Sequence, residues 1–479
     1  MSRGRPVALM TVHEYYSQPA VRSRIAEYCG ADGADAPTCR YLVGLSAADG
    51  YAGRAFPSPR SLDSLGALLA EDDDVCRSVW DRGRLLVTLD LEYCSFDYRG
   101  EPFVNPQGAF GRLEPTYHAV EALCDELGLE HKMVVTGQGY HAAWYLDLGA
   151  QQAVATGALG RVAPSLWARY ATGNTPTGEP VDGREARVFA GVGMLVEWLA
   201  HLLCARASAA SPAPVVCLGL EVGNRGAAGR EAISIDLSEY ADPLDRRYTR
   251  CAFSAYQKHR SMGDIIGWAI ADATPPKACV PRPRGAKLEE TLAVRDDLAA
   301  AAELAKTVSA RIPDATAGVG RLLESYRRSK LAEFHEWYYR VEPDPPPRWP
   351  ASYDRLELGP LPPCVALPLA HPNDLLLKPA NIQNTTRVLW ALGWHPRHIA
   401  GLIQSKYERD WGWGQMWLTY DAATRADVYV RILSGLVATG TDDLRDLNCV
   451  SHQERGHCPQ PFCGHNLADY ASALQGRLG

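Results

Sequence analysis

Asp90 and Glu92 stand two residues apart in Val87-Thr88-Leu89-Asp90-Leu91-Glu92-Tyr93, which alternates apolar with other residues and reads as a half-buried strand. Residues i and i+2 of a strand point to the same side, so this one presents two carboxylates together. A hard divalent cation suits such a pair, because Mg²⁺ takes a few oxygen ligands and leaves the rest of its shell to water and phosphate. Further on, Val134-Val135-Thr136-Gly137-Gln138-Gly139-Tyr140-His141 reads as an apolar strand, a glycine-bearing turn and a second strand that brings in a histidine. Thr136, Gly137 and Gly139 make a backbone loop open enough to approach a phosphate, with the His141 imidazole beside it. Each piece alone has a plainer reading: a solvated sheet face, a hairpin turn without ligand, a hydrogen-bonded histidine at a strand edge. Together they suggest metal-dependent nucleotidyl transfer.

A third element strengthens the set. Ala232-Ile233-Ser234-Ile235-Asp236 is again strand-like and ends in a carboxylate. Asp236 would complete three carboxylates, enough to hold two metals about 3.5–4 Å apart for in-line displacement at a phosphate. The stretch after it carries Arg246, Arg247, Arg250, Lys258 and Arg260, interrupted by Tyr248, Phe253, Ser254 and Tyr256. A basic run broken by aromatics reads as a triphosphate or nucleic-acid contact rather than a solvated face.

The ordered set Asp90-x-Glu92, Thr136-to-His141 and Ile235-Asp236 resembles the three motifs of the archaeo-eukaryotic primase superfamily. In that family's catalytic subunit the third motif leads into paired arginines, a Ser-x-His and a lysine. Arg247 and Arg250 match the arginines, Ser254 the serine and Lys258 the lysine, while Tyr256 stands where the family usually has histidine. The stretch from His13 to Tyr28 looks like the helix that opens many such domains, and the resemblance spans roughly residues 8 to 262. It implies that Asp90, Glu92 and Asp236 hold Mg²⁺ or Mn²⁺. It further implies that Thr136, Gly137, Gly139, His141, Arg247, Arg250, Ser254, Tyr256 and Lys258 contact an incoming nucleoside triphosphate.

Of thirteen cysteines, Cys364, Cys449, Cys458 and Cys463 lie in the last quarter of the chain. Closely set cysteines with glycine and proline between them can converge on one metal or cluster. A distant ligand such as Cys364 would pin the ends of a domain together and remove loop-closure freedom. With His452, His457 and His465 nearby, a Cys/His zinc site built from the tail is one reading of these residues. The whole pattern resembles the iron–sulfur domain of the large primase subunit: Leu361-Pro362-Pro363-Cys364, a long helical stretch containing Arg387, Asn448-Cys449, Gly456-His457-Cys458, then Cys463-Gly464-His465-Asn466-Leu467 and Tyr470. That resemblance favours a [4Fe–4S] cluster over Zn²⁺. The other nine cysteines, Cys29, Cys39, Cys76, Cys94, Cys124, Cys204, Cys217, Cys251 and Cys279, show no paired short spacing and read as small core residues.

These groups need elements to hold them. At 479 residues the chain is too long for one ordinary core, and two or three domains are expected. Strand-like and helical segments alternate to about residue 262, and residues 184 to 208 read as a buried helix. Leu288 to Tyr339 is rich in helix formers, and Pro343 to Pro350 reads as a stiff extended linker. The expected fold is α+β: a primase-type catalytic domain with an RRM-like mixed sheet over 1–285, a helical connector and proline-rich linker over 286–350, and an all-α iron–sulfur domain over 351–479. The last domain holds five of the twelve tryptophans, including Trp411-Gly412-Trp413-Gly414. Tryptophans at this density are core residues first and base-stacking platforms second. Arg387, Lys406, Arg409, Arg425 and Arg431 are the candidates for phosphate contacts there.

Composition narrows the class. No amino-terminal basic region leads into an apolar run, and the sequence reads as having no stretch of about eighteen apolar residues, so neither secretion nor a membrane is expected. The odd cysteine count argues against a disulfide framework and points to the cytoplasm. The net charge of −7 argues against a chain coated in nucleic acid, yet allows one basic groove. Arginine outnumbers lysine 41 to 8, a bias that a GC-rich genome explains better than phosphate recognition by guanidinium. The expected activity is synthesis of short primers on single-stranded DNA from NTP or dNTP, alongside a replicative helicase or polymerase. Two alternatives stay open: a polymerase that only extends primers or fills gaps, and a non-catalytic nucleic-acid-binding module of a mobile element.

Overall fold

The computed structural model describes residues 9–32, 36–46, 57–218, 230–372, 376, 379–409 and 420–478. Helices and strands are mixed throughout, and the chain forms two compact units, each interleaved in sequence. The first comprises Met1–Val154, Gly173–Glu179 and Leu244–Val319; the second comprises Ala155–Thr172, Pro180–Pro243 and Gly320–Gly479.

In the first unit the longest strand, β3 (Arg84–Ser95), pairs antiparallel with β5 (Gly139–Asp147), which pairs antiparallel with β4 (Lys132–Val135). A short strand, β11 (Val280–Pro281), adds to the far side of β4. Leu85 to Leu89 are buried on both faces, as a strand covered on both sides must be. The helix Pro106–Leu127 supplies one cover, with Phe110 and Tyr117 against Tyr140 of β5 at ring distances of 5.5 and 5.3 Å. Its ends follow the ordinary rules: Asn105 caps the start, accepting from Gly108 N, and Gly128 ends it at a φ of 59°. A second sheet is antiparallel in the order β1 (Leu42–Leu45), β2 (Asp74–Ser78), β8 (Tyr248–Arg250). A third is a pair, β9 (Ala255–Tyr256) with β10 (Lys277–Ala278).

The helix expected to open the chain is two helices, Val12–Ser17 and Pro19–Tyr28. Pro19 divides them, because it forces Gln18 into the extended region at φ −70° and ψ 121°. The first is held by its buried tyrosines: Tyr15 donates to Phe253 O at 3.0 Å and Tyr16 to Asp73 O at 2.8 Å. Eight of the nine cysteines read as core residues are buried, and Cys94 is half-buried.

The second unit is built on helices, with one parallel pair of strands, β6 (Val215–Cys217) and β7 (Glu231–Asp236). The expected helix runs Gly183–Ala207, with Val188, Phe189, Val192, Met194, Leu195 and Leu199 buried. Among the described residues it is the one helix long and apolar enough to cross a membrane, which corrects the reading that no such stretch exists. Of its most apolar window, 78% is buried inside the fold. The proline run also differs from expectation. Pro346–Ala351 is a 3₁₀ helix whose buried Trp349 donates from Nε1 to Asp344 O at 2.8 Å. Proline's fixed φ suits a first helical turn, and the N–H it lacks has no partner there anyway.

One buried polar cluster ties this unit together. Glu197 accepts from His335 Nε2 at 3.2 Å and from Arg431 Nε at 3.0 Å, and Tyr326 shares its hydroxyl with His335 Nδ1 at 2.9 Å. Burial works against the charge on Glu197, but His335 and Arg431 outweigh it and hold the carboxyl at about 2. Burial also holds the neighbouring His201 neutral down to about 4. Below pH ~6.5 the unfolded chain therefore takes up a proton at His201 that the folded chain refuses, so stability falls with pH until about 4. The Glu197 contribution is lost only as pH falls further, toward about 2. Urea titrations from pH 7 to pH ~4 are expected to show a loss of about 3 kcal/mol from His201 alone. His201→Gln, which cannot titrate, flattens that slope; an unchanged slope removes the assignment.

Candidate active site and cysteine cluster

From Asp90 onward the burial of β3 alternates: Asp90, Glu92 and Cys94 are half-buried, and Leu91 and Tyr93 are buried. The two carboxylates therefore share one side of the strand, as the sequence pattern requires. The register then sets their partners, with Asp90 opposite His141 and Glu92 opposite Gly139. Across this pair Asp90 Oδ1 faces His141 Nε2 at 3.4 Å, and His141 Nδ1 lies 3.4 Å from Thr249 Oγ1 on β8. Asp90 Oδ1 is buried and has no hydrogen-bond partner. Burial pushes the Asp90 carboxyl up, yet His141 first, then Arg247 and Lys258, outweigh it and hold the group below the usual carboxylate range. Asp90, His141, Arg247 and Lys258 are thus brought into one electrostatic neighbourhood.

The glycine turn is a tight hairpin closed by its own residues. Thr136 N donates to Gly139 O at 2.8 Å, and Gly139 N donates back to Thr136 Oγ1 at 3.3 Å. A Cβ on Gly139 would fall 1.8 Å from Leu91 O, so only glycine lets β5 pair with β3 at this point. Gly137 lies against the Tyr256 ring, 2.1 to 2.4 Å from where its Cβ would be, and Tyr256 donates to Gln138 Oε1 at 2.9 Å. Arg250 stacks on the same ring at 4.4 Å and faces Asp74 Oδ2 at 3.5 Å. Ser254 is fully buried, accepting from Val75 N at 2.7 Å and donating to Ala255 O at 2.9 Å. Lys258 is half-buried at the start of the 3₁₀ turn Lys258–Ser261. Sequence reasoning missed Asp74, Gln138 and Thr249; all three meet their partners only through sheet pairing and long-range packing.

Asp236 ends β7 in the second unit, where its carboxylate accepts from Ser238 N at 2.8 Å and from Ser238 Oγ at 3.0 Å. Four of the five candidate phosphate contacts in that unit are held by carboxylates. Arg387 pairs with Asp442 and with Asp446, the latter at 3.1 Å; Arg431 pairs with Glu197; Arg425 pairs with Asp242 at 2.9 Å. Arg409 pairs with Asp354 at 2.8 Å, and Lys406 is half-buried. Trp390 is a core residue, stacked on Trp337 at 6.2 Å. Trp411, Trp413 and Trp417 lie outside the described residues.

Cys364, Cys449, Cys458 and Cys463 all line one cavity of about 20 Å³, together with His452 and His465. Backbone rather than thiol attraction brings them together. Asn448 caps the helix that Cys449 opens, and Gly456 and Gly464 turn the chain at φ values of 70° and 83°. Burial pushes the Cys364 thiol up to about 11, and the nearby Cys458 and Cys449 add to the effect. His452 accepts from Arg455 at 3.0 Å and is held neutral down to about 3, chiefly by burial. Among the described residues, no three or more His, Cys, Asp or Glu side chains stand close enough together to hold a metal ion as they are placed. Four soft sulfur donors are the kind of set from which a zinc or iron–sulfur site could be built.

Gly137→Ala tests the hairpin. Its methyl would enter the Tyr256 ring, so a loss of about 1–3 kcal/mol is expected in urea unfolding, and Tyr256→Ala in the same chain relieves it. Additive losses in the double variant would show that the two do not touch. No family model, curated protein or solved structure matches this chain.

Proposed function

We propose that the chain is a template-dependent nucleotidyl transferase of primase type that makes short primers on single-stranded DNA. The observation that carries this reading is the Asp90 carboxylate, buried and facing His141, with Oδ1 free of hydrogen bonds. His141, Arg247 and Lys258 keep that carboxylate ionised, and an ionised oxygen that accepts no hydrogen bond is available to a cation. Glu92, on the same side of β3, supplies the second carboxylate of a hard-cation site. Asp236 joins the set through the order of the motifs alone. Bound there, Mg²⁺ or Mn²⁺ would supply a lowered pKa at an attacking 3′-hydroxyl and charge neutralisation at a leaving pyrophosphate.

The chain's own side chains then have distinct tasks. Lys258 and Arg247 place positive charge at Asp90, where the phosphates of an incoming nucleotide would sit. His141, held between Asp90 and Thr249, is oriented to donate to a phosphate oxygen from Nε2 when it leaves the carboxylate. Arg250, Tyr256 and Ser254 take a supporting role: Arg250 and Tyr256 brace the Gly137 turn, and Ser254 holds the neighbouring backbone. For the cysteines, the same reading assigns a [4Fe–4S] cluster to Cys364, Cys449, Cys458 and Cys463, supported by their shared cavity.

Unprimed single-stranded DNA with Mg²⁺ or Mn²⁺ and both kinds of nucleotide should yield new template-dependent oligomers. Asp90→Ala should lower the yield by at least about 10²–10³-fold, the range for removing one group that stabilises transition-state charge. Extension only when a primer is supplied would shift the reading to gap filling, and no synthesis in either case would leave a binding module. For the cysteine cavity, chain purified without oxygen should carry iron and acid-labile sulfide in equal amounts, both lost in Cys458→Ser. Zinc in their place would make it a zinc site.

A further inference from the structure

Trp268 opens the short helix Trp268–Ala273 directly after Gly267, and its side chain is 55% exposed. It is exposed but not loose. Its Nε1 donates to Asp264 Oδ1 at 3.2 Å. One face of the indole lies on Gly263, where a Cβ would come within 2.2 to 2.5 Å of Cδ2, Cε3 and Cε2. The ring is therefore laid against a glycine and pinned at its edge, with about half of it left to solvent. An indole that merely filled a surface gap would need neither the glycine nor the anchor.

The surroundings say what that face suits. Lys258 and Arg260 stand on the preceding 3₁₀ turn, and Arg260 is exposed, with Nη1 donating to Gln257 Oε1 at 2.9 Å. Between Tyr256 and Thr274 the acids are Asp264, which anchors the indole, and Asp272. The segment is tied back to the hairpin by a row of rings, with Phe103 at 6.3 Å from Tyr256 and 5.6 Å from His259. An exposed indole on a helix packed against the turn that carries Lys258 and Arg260, fixed to the same framework as the carboxylates, combines the two features by which proteins hold single strands.

We propose that Trp268 is a stacking platform for an unpaired base of a single-stranded nucleic acid. The inference rests on the nucleotidyl-transfer reading above and adds a positioning residue to it. Base–aromatic stacking tolerates any sequence, as a template contact must.

The test is fluorescence anisotropy of the full chain with labelled oligothymidylate, oligouridylate and an abasic deoxyribose-phosphate oligomer of equal length. The wild-type chain should bind the base-bearing oligomers more tightly than the abasic one. Trp268→Ala should weaken base-bearing binding about ten-fold and leave abasic binding unchanged, while Trp268→Phe retains most of it. Gly263→Ala, which displaces the indole but keeps it, should weaken binding in the same direction. A preference for the deoxy or the ribo oligomer that Trp268→Ala abolishes supports the platform and names its strand. Wild-type affinity and base preference in Trp268→Ala would remove the platform and leave the nucleic-acid reading standing. Failure of the wild-type chain to bind any of the three oligomers would remove both.

Discussion

The antiparallel register of β3 on β5 is the constraint on which the candidate site depends. Side chains alternate along a strand, so a slip of one residue would carry Asp90 and Glu92 to the opposite side and bring Leu91 in their place. Two features hold the register. The Thr136 hydroxyl accepts from Gly139 N and so closes the β4–β5 hairpin, and Gly139 then passes so near Leu91 O that no side chain fits. Gly139 is also the residue opposite Glu92. The glycine that reads as a phosphate-loop residue thus has a structural task first: it lets the ladder run on to the second carboxylate.

The two units treat buried charge in different ways. In the second, Glu197 lies between Arg431 and His335, Arg387 between Asp442 and Asp446, and Arg425 against Asp242. Each charge there meets its opposite, so removing one member leaves the other buried and unpaired. In the first, Arg77 is likewise closed, paired with Asp81 at 2.5 Å and donating to Tyr145 and to the Tyr28 and Ser78 carbonyls. Asp90 is held by several cations rather than by one closed pair: His141 first, then Arg247 and Lys258, outweigh its burial, and its Oδ1 accepts no hydrogen bond.

This difference marks the limit of what the sequence could tell. Strand β3, the hairpin after it and the helix Gly183–Ala207 were legible because period-2 alternation, glycine-bearing turns and long apolar stretches are local signals. The roles of the arginines were not. Arg387 and Arg425 look like free cations until Asp442, Asp446 and Asp242 reach them from distant parts of the chain. Tyr256 gave no sign that it would cover Gly137, since that contact links two remote segments. The proline run misled for a different reason. Its local rule excludes α-helix but not a 3₁₀ turn, and the buried Trp349 settles which conformation it takes.

The cysteine cavity and the carboxylate strand share one physical feature. Thiols gathered on one cavity, like carboxylates side by side, do not assemble through mutual attraction. Cys364 is carried on the helix Pro363–Ala370, Cys449 on a helix capped by Asn448, and the last two cysteines on turns set by Gly456 and Gly464. Asp90 and Glu92 are carried on a strand whose stability comes from its ladder and from the packing of Leu89 and Leu91. In both places backbone hydrogen bonds and apolar burial bear the cost of bringing like groups together before any ligand arrives. On the proposed reading, a cation at the carboxylates and a metal held by sulfur would offset that cost by completing each set.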